Sequence, residues 1–131
     1  MDKKVKEIID ELRVTILDNS NLDKPGHYIS ALNIIVLNSS LNDFEMTKVL
    51  LHELGHAALH QDNCKLYNVT FALHSKMENE AETFMSHQLV RQYMEIHNAD
   101  PASINYMDFI TDNELSLDLA PKVREWFLEY R

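Results

Sequence analysis

The segment from Val49 to His60, VLLHELGHAALH, carries two histidines and a glutamate inside an otherwise apolar run. His52 and His56 are four residues apart, so on a helix their rings project from one face with Cβ atoms roughly 6 Å apart. Two imidazoles so placed can bind one Zn²⁺ at about 2.0 to 2.1 Å each. Glu53 then lies beside the metal without being a ligand, where a general base can take a proton from water. The pattern predicts hydrolytic metal chemistry.

The alternative interpretation of this segment is an exposed or core histidine pair on an ordinary helix. The His and Glu frequencies of the chain give on the order of 0.03 chance matches to H-E-x-x-H, which favours the metal site. Gly55 in the middle of the helix costs about 1 kcal/mol relative to alanine. A glycine is explained there if another backbone or a substrate comes close, although plain helix packing would also explain it.

A third ligand must come from elsewhere, and three nearby residues are weak candidates. Extended motifs with another histidine place it six residues after the second one, where this chain has Asp62. His60 shares the helix face but would lie about 6 Å farther along the axis, which favours a role in covering the helix end. Cys64 could ligate zinc, but a semi-buried lone thiol is the commoner state.

The segment KMENEAETFMSHQLV, from Lys76 to Val90, offers better candidates on a second long helix. Glu78 and Glu82 are four residues apart, so both can face the histidine helix while apolar residues fill the packing stripe. One carboxylate can ligate the metal, and the other can accept the outer N–H of a ligating histidine. Small Ala81 between them allows close helix approach, whereas Glu80 points away and is expected to be solvated. The alternative is a charged, solvated helix face.

Hydrophobic periodicity predicts the elements that position these residues. Helices are expected over residues 2–17, 43–60, 76–97, about 102–110 and 121–130. Two short antiparallel strands are expected near 27–31 and 33–38, and 61–75 is expected to be a connection. Asn42 with Glu45 resembles a capping box that opens the second helix. The last helix would bury Val123, Trp126, Phe127 and Tyr130.

Composition bounds the class of protein. The chain has 131 residues, 45% of them hydrophobic and 25% charged, which is typical of a soluble globular protein. A formal net charge of -9 disfavours direct binding to nucleic acid or to anionic lipid. One cysteine allows no internal disulfide, and the sequence shows neither a secretory signal nor a membrane-spanning apolar run. A cytoplasmic location is predicted.

The predicted organisation is one metallopeptidase-like domain over residues 1–131, with a core at about 25–97 and a C-terminal helical extension at about 99–131. The expected fold class is α+β: mostly helical, with a small antiparallel sheet packed beside the H-E-x-x-H helix, as in zincin-like proteins. No internal repeat or flexible linker interrupts the pattern.

The sequence resembles the ImmA/IrrE family of metallopeptidases. The resemblance covers roughly residues 25–90 and rests on HELGHAALH (His52 to His60), on E-x-x-A-x-x-F (Glu78 to Phe84) and on the upstream strand NIIVLN. It implies that His52, His56 and Glu78 are zinc ligands, that Glu53 is the catalytic base, and that Glu82 is the outer partner of a ligating histidine. Short members resemble proteins of phages and conjugative elements that are associated with cleaving a repressor encoded beside them. No DNA-binding helix-turn-helix is recognisable here.

The resulting hypothesis is a zinc-dependent endopeptidase that hydrolyses a protein substrate, with Mn²⁺ as the alternative ion. The strand at Ile34 to Leu37 is a candidate for pairing with an extended substrate. His87, Tyr93 and Tyr67 are candidate donors to the developing oxyanion, although a structural role is the more frequent one for such residues. Two rival functions stay open: a zinc hydrolase acting on a small amide, and a non-catalytic, metal-containing regulatory protein that binds a repressor.

Overall fold

The described part of the chain folds into five α-helices and a small three-stranded sheet. The computed structural model describes residues 2–60, 71–98 and 100–130, and it describes no side chains for 71–73. The chain forms two compact units, Met1–Met85 and Ser86–Arg131. The predicted α+β class with a zincin-like helix is confirmed. The elements of the first unit are α1 (Lys3–Leu12), β1 (Thr15–Asn19), β2 (Gly26–Ile29), β3 (Ile34–Asn38), α2 (Asp43–His60) and the first part of α3 (Phe71–His97).

The first helix ends five residues before the predicted boundary at residue 17. The Asp2 side chain caps α1 by accepting hydrogen bonds from two backbone N–H groups, and the helix stops where Arg13 adopts the left-handed conformation with φ 57°. The next residues form β1, so the predicted helix is wrong beyond Leu12. Val14, Thr15 and Ile16 are β-branched and favour an extended backbone, although the spacing of Ile16 also fits a helical stripe.

The sheet has the order β1-β3-β2. β2 pairs with β3 antiparallel, which confirms the predicted strand pair, and β1 pairs with β3 parallel. The sheet is therefore mixed and not wholly antiparallel as predicted. The prediction that β3 pairs with a substrate is also wrong, because β3 is the central strand and both of its edges are occupied. Ile35 and Leu37 of β3 are buried.

Asn33 joins the hairpin to the end of α1. Its backbone is left-handed, with φ 53°, a conformation that asparagine tolerates better than most residues. The Asn33 side-chain amide donates to the carbonyls of Leu12 and Arg13 at 2.8 and 2.9 Å, and its Oδ1 accepts from the Tyr28 hydroxyl at 2.8 Å. The residue before β3 thereby ties the turn of the hairpin to the end of α1.

The two long helices carry the residues of interest. α2 spans Asp43–His60 as predicted, and Asn42 caps it by accepting the backbone N–H of Glu45 at 2.8 Å. α3 begins at Phe71, earlier than the predicted residue 76, and ends at His97 as predicted. The first part of the predicted connection, 61–70, lies outside the described residues. None of the described helices is long and apolar enough to cross a membrane.

The second unit contains the end of α3, α4 (Tyr106–Asp112), α5 (Ala120–Leu128) and two short 3-10 turns. Phe109 and Phe127 pack edge to face, with ring centroids 5.1 Å apart. Val123, Trp126 and Phe127 are buried as predicted, whereas Tyr130 is 43% exposed. Its predicted burial is wrong because α5 ends at Leu128, so the apolar stripe does not continue to residue 130.

Candidate metal centre

The site begins with the middle of α2. The rings of His52 and His56 lie on one face of the helix, with centroids 5.0 Å apart and an edge-to-face angle of 77°. His56 is buried, and the His52 side chain is 19% exposed. Potential ligand atoms of His52, Glu53 and His56 all lie within 4.8 Å of one another. The four-residue spacing therefore brings two imidazoles and one carboxylate together, as helix geometry requires.

Glu78 of α3 contacts the Nε2 atom of each imidazole. Its Oε2 lies 2.8 Å from Nε2 of His52, and its Oε1 lies 3.1 Å from Nε2 of His56. Ligands at about 2.05 Å in a tetrahedral zinc site are separated by about 3.3 Å from one another. The two distances from Glu78 to the imidazoles are therefore within about 0.5 Å of the spacing of ligands around one ion. Two imidazoles and a carboxylate are a donor set that fits a divalent metal.

Glu53 is tied to the sheet. It is 8% exposed, and its Oε1 accepts the backbone N–H of Tyr28 at 2.9 Å. The pairing of β2 with β3 directs this N–H to the outer edge of the sheet, because His27 and Ile29 face the partner strand. One carboxylate oxygen of Glu53 is therefore held by β2, and the group has a fixed orientation beside the histidines.

Glu82 lies on the outer side of His52. Its Oε1 is 2.8 Å from Nδ1 of His52, so the two nitrogens of this ring face two different carboxylates. Burial would lower the pKa of His52, but hydrogen bonds to Glu78 and Glu82 and the charge of Glu53 outweigh it and raise that pKa to about 10. A proton and a cation would therefore compete for Nε2 of His52.

Gly55 explains how α3 comes close enough to supply these glutamates. A Cβ atom at Gly55 would lie 3.0 Å from the Cα and 3.1 Å from the carbonyl oxygen of Ala81, and 3.2 Å from the Cβ of Phe84. Ala81 itself is fully buried. Of the two explanations considered for this glycine, the structure supports the close approach of another backbone.

His60 lies on the far side of His56. The two Nδ1 atoms are 3.0 Å apart, and Nε2 of His60 is 3.4 Å from Oε2 of Glu80. His60 is 4% exposed, and burial, opposed in part by Glu80, lowers its pKa. The expectation that Glu80 is simply solvated is corrected, because its carboxylate faces a buried imidazole while the side chain remains 40% exposed.

The comparison with protein families decides the class of this site. Residues 10–115 match the Peptidase M78 family, described as the IrrE N-terminal-like domain. The chain belongs to this family. The match includes α2, α3 and the whole sheet, so the histidine helix of this M78 peptidase lies inside the matched region. A comparison with curated proteins gives no significant match.

The sequence offered five further candidates for metal ligands or oxyanion donors: Asp62, Cys64, Tyr67, His87 and Tyr93. Asp62, Cys64 and Tyr67 lie in 61–70, outside the described residues. In the second unit, the ring of His87 stacks on Trp126 at 4.5 Å and 11°. Tyr93 packs edge to face on Phe109 at 5.5 Å. Both rings thus have a packing role.

The sequence reasoning missed two contacts of the site, those of Tyr28 with Glu53 and of His60 with His56. The first uses a main-chain donor 25 residues away, for which side-chain types give no signal. The second had a signal in the four-residue spacing of His56 and His60, which places them on one face.

Proposed function

We propose that this M78 peptidase is a zinc-dependent endopeptidase that cleaves a peptide bond in a protein substrate. The observation that carries the proposal is the approach of the Glu78 carboxylate to both imidazoles, 2.8 Å from Nε2 of His52 and 3.1 Å from Nε2 of His56, beside a buried glutamate. The resemblance to short ImmA/IrrE members supports a repressor of a phage or mobile element as the substrate. A cytoplasmic location is part of the same proposal.

In this proposal His52, His56 and Glu78 hold the ion. Two imidazoles with one carboxylate suit Zn²⁺ better than Mn²⁺, which prefers oxygen ligands. When bound, the ion supplies Lewis acidity, which makes water nucleophilic near neutral pH and polarises the peptide carbonyl. Glu82 accepts the Nδ1–H of His52, which leaves Nε2 of that ring free of a proton and raises the basicity of the ligand.

Glu53 is the proposed general base. Its Oε1 is occupied by the Tyr28 N–H, so Oε2 is the atom available to take a proton from water and return it to the departing amine. The tether matters because a base must lie within hydrogen-bond reach of the proton it removes. The fixed carboxylate loses little orientational freedom when the reaction begins.

The net charge of -9 bears on the partner. Such a field disfavours contact with DNA and favours a protein substrate that presents a basic surface, as many DNA-binding repressors do. We therefore propose that the peptidase meets the repressor as a protein, without itself binding nucleic acid.

The decisive variant is Glu53→Gln. The amide keeps the shape of the side chain but cannot accept the proton, so cleavage of the repressor encoded beside this chain should fall about 10²- to 10⁴-fold. Zinc content, measured by atomic absorption, should stay as in the unaltered protein. Glu45→Gln is the matched control, since Glu45 is an exposed residue in the first turn of the same helix and should cleave normally.

Normal cleavage by Glu53→Gln would rule out this glutamate as the base. Zinc binding with repressor binding but no cleavage would instead favour the non-catalytic regulatory protein. Hydrolysis of small formyl or acetyl amides in the absence of any repressor cleavage would favour the small-amide hydrolase. A chelator should abolish cleavage by the endopeptidase, and added zinc should restore it.

A further inference from the structure

A buried chain of polar groups extends from the metal centre away from the reaction. His56 faces Glu78 with Nε2 and His60 with Nδ1, at 3.1 and 3.0 Å. His60 in turn faces Glu80 with Nε2 at 3.4 Å. His56 and His60 are 5% and 4% exposed. Among the described residues, Nε2 of His60 is a buried nitrogen that makes no hydrogen bond, although a carboxylate oxygen of Glu80 lies 3.4 Å away.

We propose that His60, backed by Glu80, is a positioning residue that fixes which nitrogen of His56 carries the proton and thereby prepares Nε2 of His56 for the metal. This inference rests on the proposed function, since it requires His56 to be a ligand. It assigns a role to two residues that take no part in the proposed proton transfers.

The argument follows from the two Nδ1 atoms, which are close enough that one must donate and the other must accept. A ligating nitrogen carries no proton, so a neutral His56 that binds metal through Nε2 has its proton on Nδ1. His56 is then the donor and His60 the acceptor. A neutral acceptor at Nδ1 places the proton of His60 on Nε2, which lies 3.4 Å from Oε2 of Glu80.

With an ion bound at Nε2 of His56, the opposite arrangement fails at both ends. If His60 donated from Nδ1, its bare Nε2 would face a carboxylate, and two acceptors would oppose each other in a buried place. His56 would then carry its proton on Nε2, where the metal must bind. Glu80 therefore favours the same tautomers that metal binding requires.

Two substitutions separate hydrogen bonding from packing. His60→Asn keeps an acceptor near the position of Nδ1, because its Oδ1 is attached at the same carbon as the ring nitrogen. His60→Leu fills a similar volume with no acceptor. His27→Ala is the control, because His27 is an exposed histidine of β2 in the same unit.

Zinc dissociation constants, measured by competition with a chromophoric chelator, give the first test. His60→Leu should weaken zinc binding about 10- to 100-fold, as loss of an outer partner usually does, and His60→Asn should restore most of the affinity. Glu80→Ala should weaken binding less, and His27→Ala not at all. Zinc affinity of the Leu variant equal to that of the unaltered protein, or an Asn variant as weak as Leu, would overturn the proposal.

Long-range ¹H–¹⁵N spectra of the imidazoles in the zinc-loaded, unaltered protein give a second test that needs no variant to fold. The proton should be on Nδ1 of His56 and on Nε2 of His60. A proton on Nδ1 of His60, or the absence of zinc binding by the unaltered protein, would contradict the inference. Neither measurement uses hydrolysis. If zinc affinities and tautomers were as expected but the protein had no peptidase activity, only the proposed function would be contradicted.

Discussion

At the scale of single residues, three glutamates of the site have different surroundings. Glu53 is buried and held by a backbone N–H, Glu78 faces two imidazoles, and Glu82 faces the outer nitrogen of one. The types and spacings of these residues could be predicted from the sequence, because a helix fixes which side chains share a face. Their surroundings could not, since Tyr28 reaches Glu53 through the tertiary packing of a strand on α2.

His52 makes metal binding dependent on pH. Its pKa of about 10 in the folded, metal-free protein lies above the ordinary value of 6.5. Between these two pH values, folded His52 therefore retains a proton that an ordinary histidine would lose. The contribution to stability is complete below pH 6.5 and is lost as pH rises through 10. Zinc must displace the proton, so we expect release of about one proton at pH 8 and a loss of zinc affinity of about tenfold per unit of decreasing pH.

Calorimetric titration with zinc at pH 8, in two buffers of different ionisation enthalpy, measures the number of protons released on zinc binding. His27→Ala should release the same number of protons. Binding enthalpies that do not depend on the buffer would mean that no proton leaves and that His52 is not protonated in the metal-free state.

At the scale of elements, the long helices followed the sequence pattern more closely than the sheet did. Asn42 and the apolar spacing place the start of α2 well, because both signals are local. β1 was missed because its pairing partner lies nineteen residues away, with Thr15 aligned to Ile34. Its apolar residues also fit a helical spacing, and the left-handed Arg13 that separates helix from strand has no strong sequence signal.

Gly55→Ala tests the contact between α2 and α3. Alanine gains up to about 1 kcal/mol of helix propensity. Its Cβ would meet the Cα and carbonyl oxygen of Ala81 at 3.0 and 3.1 Å, and backbone atoms cannot turn aside as a flexible side chain can. We expect the steric effect to dominate, with a loss of about 1 to 3 kcal/mol in the free energy of unfolding in urea. Zinc affinity should also fall, because α3 carries Glu78.

Ala58→Gly is the complementary control for this prediction. Ala58 is exposed on the same helix, so the exchange changes helix propensity without a steric contact and should cost about 1 kcal/mol with zinc affinity unchanged. A Gly55→Ala protein that is more stable and binds zinc normally would show that the two helices can separate at little cost.

At the scale of the whole molecule, the metal would join parts of the chain that are distant in sequence. His52 and Glu78 are 26 residues apart, and both belong to the unit Met1–Met85. The sequence predicts a single domain over residues 1–131 with a core at about 25–97. The predicted core ends after the long helix, because the periodic apolar pattern continues through that helix. That organisation stays a prediction. The two compact units divide between Met85 and Ser86, inside α3.

Removing the metal should therefore lower the Tm. Zinc at a thousand times its Kd, bound only by the folded chain, stabilises by about 4 kcal/mol. For a chain of this size, the Tm with zinc should be higher than the Tm with a chelator by on the order of 10 °C. Differential scanning calorimetry measures the shift, and Glu78→Ala should show a much smaller one. Equal Tm values with zinc and with chelator would argue against metal binding by the folded unit.

The edge position of β2 limits how an extended polypeptide could pair with the sheet. Because β3 is the central strand of the described sheet, an added strand would have to pair with the outer edge of β1 or of β2. A main-chain amide serves one acceptor well at a time, and that of Tyr28 is already engaged by Glu53. If Glu53 is the base, as proposed, a polypeptide that paired with the whole outer edge of β2 would take the Tyr28 N–H away from that carboxylate. A productively bound polypeptide should therefore leave the Tyr28 N–H to Glu53.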